Sequence, residues 1–192
     1  QHHVRVTNQI FPQGICIPMS NEMTITQWHV PIDNENCFWY AMFTSFTEPV
    51  DKEKMREQRL AEHTLPDYAP LRNKANQYGY DAEEQNKLTY TGMGMDINVH
   101  DQWACESMGA IQDRTKEHLG TTDKAISAYR RLLLQTITKI DNGDDDLVGV
   151  VNAANIKGPI ALDAVGPSET SETIWLEGDA KRRADCPWDA EL

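Results

Sequence analysis

Residues 23 to 46 read MTITQWHVPIDNENCFWYAMFTSF, and this stretch decides the fold. Its first half, Met23 to Ile32, is rich in β-branched and aromatic residues, which fit a pleated, half-buried surface. Asp33-Asn34-Glu35-Asn36 follows, and short Asp and Asn side chains bond their own backbone in turns. Cys37 to Phe43 then returns to strand character. Thr24 to Phe46 is therefore expected to form a long antiparallel hairpin. Pro31 has no N–H to give a ladder, so the first strand should end there or lie on an edge.

Upstream, Val4, Val6 and Thr7 begin an extended run that continues, after Pro12 and Gly14, into Ile15-Cys16-Ile17. Downstream, residues 51–63 are charged and helix-prone, with Met55 and Leu60 among few apolar positions, as on a surface helix. Residues 64–98 carry two prolines, three glycines and four tyrosines and read as an ordered irregular connection. A short helix is expected over Asp101–Met108, punctuated by Gly109. Thr121 or Thr122 can cap a longer one starting near Asp123. Ile126, Tyr129, Leu133, Ile137 and Ile140 recur along it at three- and four-residue steps. Asn142-Gly143 and Asp144-Asp145-Asp146 end it. The tail beyond has no clear periodicity, yet Trp175, Pro187 and Trp188 would be costly to leave in water, so it should dock. Strands first and helices afterwards give an α+β domain: a curved antiparallel sheet over residues 4–46 gripping the helix near 123–141 around a cavity.

Bulk properties narrow the function. The 192 residues suffice for one domain with a core. A net charge of −12, with only short basic runs such as Lys181-Arg182-Arg183, argues against nucleic acid and against an anionic membrane surface. No apolar run approaches the roughly 20 residues that span a bilayer. The start, Gln1-His2-His3-Val4-Arg5, lacks signal-peptide shape and an initiating Met, so the sequence is expected to begin inside a longer protein. Cys16, Cys37, Cys105 and Cys186 form no Cys-x-x-Cys pair, which excludes a zinc ribbon or thiolate cluster encoded here. They read as buried free thiols in a reducing cytoplasm.

Common catalytic motifs are missing: no His-Glu-x-x-His, phosphate loop, dinucleotide fingerprint or Gly-x-Ser-x-Gly occurs. His29 and His63 read as structural or solvent-exposed. The informative stretch is Leu88 to Asp123, which packs acids, amides, a Trp and two histidines around one short helix. Within it, Met95-Asp96-Ile97-Asn98-Val99-His100-Asp101-Gln102-Trp103-Ala104-Cys105-Glu106-Ser107-Met108-Gly109, followed by Asp113-Arg114-Thr115-Lys116-Glu117-His118-Leu119-Gly120, resembles the catalytic domain of phthalate-dioxygenase-type Rieske oxygenase large subunits. Relatives in that group act on chlorobenzoate and on methoxylated lignin-derived acids. Val4-Arg5-Val6-Thr7-Asn8, Trp28 to Asp33, Tyr78-Gly79-Tyr80-Asp81 through Gln85, and Cys186-Pro187-Trp188-Asp189 extend the likeness over nearly the whole chain.

The resemblance implies a START/Bet v 1-like catalytic domain, in which residues 1–142 belong to the mononuclear-iron domain and residues 143–192 form a tail docking on it or on a neighbouring subunit. It implies one non-haem Fe(II) held by two histidines and one carboxylate, with open positions for dioxygen beside an aromatic acid. Asp101, five residues before Glu106, matches the carboxylate ligand; read alone, Asp101 equally suits a helix N-terminus. It is expected to face the sheet–helix cavity, with His100 pointing elsewhere and Gln102 and Glu106 orienting the helix. The two histidine ligands are expected upstream as His-x4-His, a pair absent from this sequence, as are the Cys-x-His and Cys-x-x-His pairs of a Rieske [2Fe–2S] cluster. With one ligand of three, the chain alone should be inactive. A reductase supplying electrons and a homotrimer or stacked trimers are further implications. Arg5, on a strand, is a candidate partner for a substrate carboxylate, since its planar fork suits that group; a plain surface arginine is the other reading. A different class of function stays open: a non-catalytic binder of small apolar ligands, with Trp28, Trp39 and Met42 lining its cavity and Asp101 exposed. Upstream Rieske and histidine motifs separate the two.

Overall fold

The computed structural model describes residues 1–144 and 158–188. Asp145, Asp146 and Asp189 lie outside the described residues. The fold is mixed α+β, with antiparallel sheets and one long helix, as the order of elements predicts. It divides into two compact units, residues 1–48 with 117–192, and residues 49–116.

The hairpin organises the first unit. β4 (Met23–Pro31) pairs with β5 (Cys37–Ser45) in antiparallel register, Met23 opposite Ser45 and Pro31 opposite Cys37. Pro31 does end its strand. Asp33 builds the turn by accepting from the N–H groups of Glu35 (2.8 Å) and Asn36 (2.7 Å), and these bonds hold its carboxyl below the usual carboxylate range. With β2 (Asn8–Ile10) and β3 (Gly14–Pro18) the hairpin makes a four-stranded sheet in the order β2-β3-β4-β5. Trp28 crosses Gly14, where an added Cβ would sit 3.1 Å from the indole nitrogen, so a side chain there would displace the ring. Cys16, Thr24, Ile25, Thr26 and Gln27 are buried in this sheet.

The first strand departs from the single sheet expected over residues 4–46. β1 (His2–Val6) pairs instead with β8 (Leu162–Gly166) as a separate two-stranded sheet, with Arg5 opposite Asp163. The tail, unreadable by periodicity, supplies that strand and then α5 (Ile174–Ala184). Asp179 and Arg182 of α5 form a buried ion pair. Arg182 also donates to the Ala161 carbonyl (2.8 Å) and lies 4.0 Å over the Phe46 ring. The Trp188 indole donates to the Ser45 carbonyl at 2.9 Å. Both contacts tie the end of the chain to the end of β5.

The long helix α4 (Lys124–Asp141) follows a short 3-10 turn at Thr121–Asp123, and no side chain caps it. Tyr129 donates to the Pro12 carbonyl and meets Phe11 edge-on, so α4 is joined to the turn between β2 and β3. Arg130 binds Glu117 through both guanidinium nitrogens. The side turned inward carries Tyr129, Leu133 and Thr136, while Ile126, Ile137 and Ile140 of the expected stripe are exposed. The cysteines form no disulfide; only Cys16 is buried, against the expectation for all four, and Cys37 and Cys105 are exposed. Among the described residues no helix is long and apolar enough to cross a membrane.

The second unit holds α1 (Lys52–Leu60), the surface helix read from its charge, with Asp51 as N-cap accepting from Lys54 N–H. The connection that follows is more ordered than its composition suggests. It contains the short pair β6 (His63–Thr64) and β7 (Ala69–Pro70), a 3-10 segment at Lys74–Gly79, and α2 (Ala82–Lys87). The Glu84 carboxylate winds the next loop about α2 by accepting from Thr89 Oγ1 (2.6 Å) and Gly94 N–H (2.7 Å). Gly92 has φ +70°, and a Cβ there would lie 2.5 Å from the Asp81 carbonyl, so only glycine fits. This loop delivers the chain to α3 (Ile97–Glu106).

Candidate functional site

The helix bearing Asp101 starts four residues earlier than its composition suggests. Asp96 is the N-cap, accepting from Asn98 N–H at 3.0 Å. Its carboxylate also meets Arg59 Nη1 of α1, at 3.1 Å from Oδ1 and 2.9 Å from Oδ2. Asp96 therefore fills the role at the helix N-terminus that Asp101, read alone, also suited. Asp101 sits in the middle of α3 with an exposed side chain, not turned into a cavity as expected of the ligand; exposure is what the apolar-binder reading expects of it. The cap signal, Asp followed by Ile-Asn before the apolar Val99, was present in the sequence.

Neighbouring polar groups on α3 turn the other way. His100 Nε2 donates to the Gly94 carbonyl (3.0 Å) and lies 2.9 Å from Thr91 Oγ1. Gln102 Nε2 donates to Glu106 Oε1 at 3.0 Å. Tyr78 Oη donates to Glu106 Oε2 at 2.6 Å. Burial, the Glu106 hydrogen bond and the Glu106 charge push the Tyr78 hydroxyl up to about 12. Tyr78, Met93 and Val99 form a buried apolar cluster beneath these bonds. His100 is thus engaged with the preceding loop, and Gln102 and Glu106 with each other and with Tyr78, a tyrosine the sequence offered only as part of a connecting loop.

A cleft of about 630 Å³ opens beside this clamp, lined by Tyr78, Tyr80, Tyr90, Lys74 and Trp103 among others. Trp103 follows Asp101 by two residues, so the two diverge by roughly 200° around the helix. An aromatic ligand in that cleft would not share a face with Asp101.

Arg5 belongs to the other unit. Its Nη1 binds Asp163 at 3.1 Å and its Nη2 donates to the Pro18 carbonyl at 3.0 Å, while His3 approaches the same Asp163 at 3.4 Å. A substrate carboxylate at Arg5 would compete with Asp163. His29 lies against Trp39, 5.1 Å between ring centres, and His63 Nδ1 donates to the Arg59 carbonyl at 2.8 Å. The three residues named for an apolar cavity do not share a face. Trp28 pairs with Tyr40, which puts it on the side of Met42, whereas Trp39 pairs with His29 on the opposite side.

Among the described residues no three His, Cys, Asp or Glu side chains converge on a metal-sized site. Asp101 offers one hard anionic oxygen on α3, fewer donors than a metal site needs, so the remaining ligands would have to come from elsewhere.

Comparison with known proteins gives this geometry its context. A family model described as LigXa C-terminal domain like matches residues 1–182. The chain belongs to that family. Among curated relatives, it is 28% identical over 147 residues to the phthalate 4,5-dioxygenase oxygenase subunit of Pseudomonas putida, covering 74% of this chain and 33% of that subunit. Over 74 residues it is 38% identical to the 5,5'-dehydrodivanillate O-demethylase oxygenase subunit of a Sphingobium species, covering 36% of this chain and 18% of that subunit. The chain thus spans about a third or less of the length of these relatives. The resemblance carried by Met95–Gly109 and Asp113–Gly120 is borne out. Of the two relatives, one is named a dioxygenase and the other an O-demethylase.

Proposed function

We propose that this chain is the C-terminal part of the large subunit of a Rieske non-haem iron oxygenase acting on an aromatic acid, by ring hydroxylation or O-demethylation. The observation that carries the reading is the match of residues 1–182 to a family whose relatives include a dioxygenase and an O-demethylase oxygenase subunit. Asp96, not Asp101, caps α3, so the ligand role of Asp101 rests on the family resemblance of Met95–Gly109 and not on its exposure.

In the intact protein Asp101 supplies one anionic oxygen to a ferrous ion, and two histidines outside this sequence supply the rest. Iron held there by Asp101 would supply the chemistry of reductive dioxygen activation, and a reductase and a [2Fe–2S] Rieske cluster would be its electron source. Asp101 holds the metal from a helix fixed at its start by Asp96 and at its end by Glu106. His100 does not compete for the site, because its Nε2 is engaged with Gly94 and Thr91. Arg5 orients a substrate carboxylate in exchange for Asp163. Residues 1–142 belong to the iron domain, and residues 143–192 form a tail that docks on it or on a neighbouring subunit; among the described residues, the pairing of β8 with β1 supports docking on the domain. The working assembly is a homotrimer or stacked trimers. The chain alone, with one ligand of three, is inactive.

The test is Asp101→Ala in the full-length protein. Mononuclear iron and turnover should vanish while the absorbance of the Rieske cluster persists, since that cluster is built elsewhere. Normal iron content and normal turnover in the variant would refute the assignment.

A further inference from the structure

We infer that Tyr78 is a positioning residue for Asp101: its hydroxyl, bonded to Glu106, fixes the roll of α3 and thereby the direction of the metal-binding carboxylate. The inference rests on the proposed ligand role of Asp101. Val99, Gln102 and Glu106 fall on one stripe of α3, at steps of three and four residues. All three are directed into the unit: Val99 into the cluster with Tyr78 and Met93, Gln102 and Glu106 into the bonds with each other and with Tyr78. Asp101 lies about 100° from Gln102 and about 140° from Glu106 around the helix. Whatever sets the roll of that inner stripe sets the aim of Asp101.

Packing alone does not need the Tyr78 hydroxyl; phenylalanine would fill the same cluster. The hydroxyl instead meets one carboxylate oxygen of Glu106 while Gln102 holds the other. Directional bonds resist rotation where apolar contacts slide. The backbone is also committed to this aim. Gln77 and Tyr78 hold φ of 55° and 58°, a region non-glycine residues rarely occupy and which the surroundings must stabilise. The magnitude of the effect is large. A carboxylate about 5 Å from a helix axis moves roughly 1 Å when the helix rolls by about 10°. Metal–ligand distances tolerate only about 0.2 Å.

The experiment uses the full-length, iron-loaded protein and compares Tyr78→Phe, Glu106→Gln, Tyr129→Phe and Asp101→Ala. Fe(II) affinity is measured by chelator competition, and ligand geometry by the ligand-field absorption of the Co(II)-substituted protein. Tyr78→Phe should weaken Fe(II) at least tenfold and shift the ligand-field bands, with the Rieske absorbance unchanged. Glu106→Gln keeps an acceptor for Tyr78 and should lose less. Tyr129→Phe also deletes a tyrosine hydrogen bond, but in the other unit, and should lower the melting temperature without moving either metal readout. Wild-type affinity and bands in Tyr78→Phe would overturn the inference; if Tyr78→Phe does not fold, Glu106→Leu, which removes the acceptor, decides in its place by the same two readouts. Iron retained by Asp101→Ala would defeat the ligand role itself. Iron lost by Asp101→Ala but kept by Tyr78→Phe with wild-type affinity would defeat only the role of Tyr78.

Discussion

The guanidinium of Arg59 lies within 3.1 Å of both carboxylate oxygens of Asp96, so the residue that caps α3 is the one that ties α3 to α1. One side chain thus satisfies a backbone N–H at the helix start and neutralises a cation from another element. Cap and tie would fail together.

Asp96→Ala should therefore cost more than a simple cap. A lost N-cap alone destabilises by about 1 kcal/mol, and here Arg59 is also left without its partner. Urea unfolding should show a total of roughly 2 kcal/mol. Asp96→Asn keeps the cap and should cost less. Equal losses in the two variants would show that the Arg59 contact contributes everything.

Asp101 is exposed, so its substitutions should barely touch stability, within about 0.5 kcal/mol. Asp101→Asn keeps the shape and loses the charge. It should leave the full-length protein folded with weakened mononuclear iron, measured by metal analysis after dialysis. A large drop in melting temperature would instead mark Asp101 as structural.

Arg5→Ala should raise KM for an aromatic carboxylate about tenfold while leaving KM for its uncharged amide nearly unchanged. Equal effects on both substrates would leave Arg5 as a clamp of β1 on β8 through Asp163.

Alkali should reveal the Tyr78 clamp. Its pKa is raised from 10.0 to about 12, so the folded state retains the proton longer than the unfolded chain. The stabilisation is fully present below pH 10 and is lost as pH rises through 12. Stability should fall across that window. Unfolding followed at several alkaline pH values, with phenolate absorbance in parallel, checks it, and Tyr78→Phe should flatten the slope.

The sequence alone determined what local chemistry dictates. β-Branched and aromatic residues on either side of Asp33–Asn36 specified the hairpin, and Pro31 its limit. Charge specified α1 as a surface helix, and the run from Met95 to Gly120 carried the family and with it Asp101. Tertiary structure decided the rest. The pairing of β1 with β8 joins segments more than 150 residues apart, and no local pattern encodes a partner at that distance. Register placed Trp28 and Trp39 on opposite faces, because one residue of offset inverts every side chain of a strand. Tyr78 met Glu106 only because a strained backbone aimed its ring at α3, and the energy of that contact resides in a buried geometry absent from the order of residues.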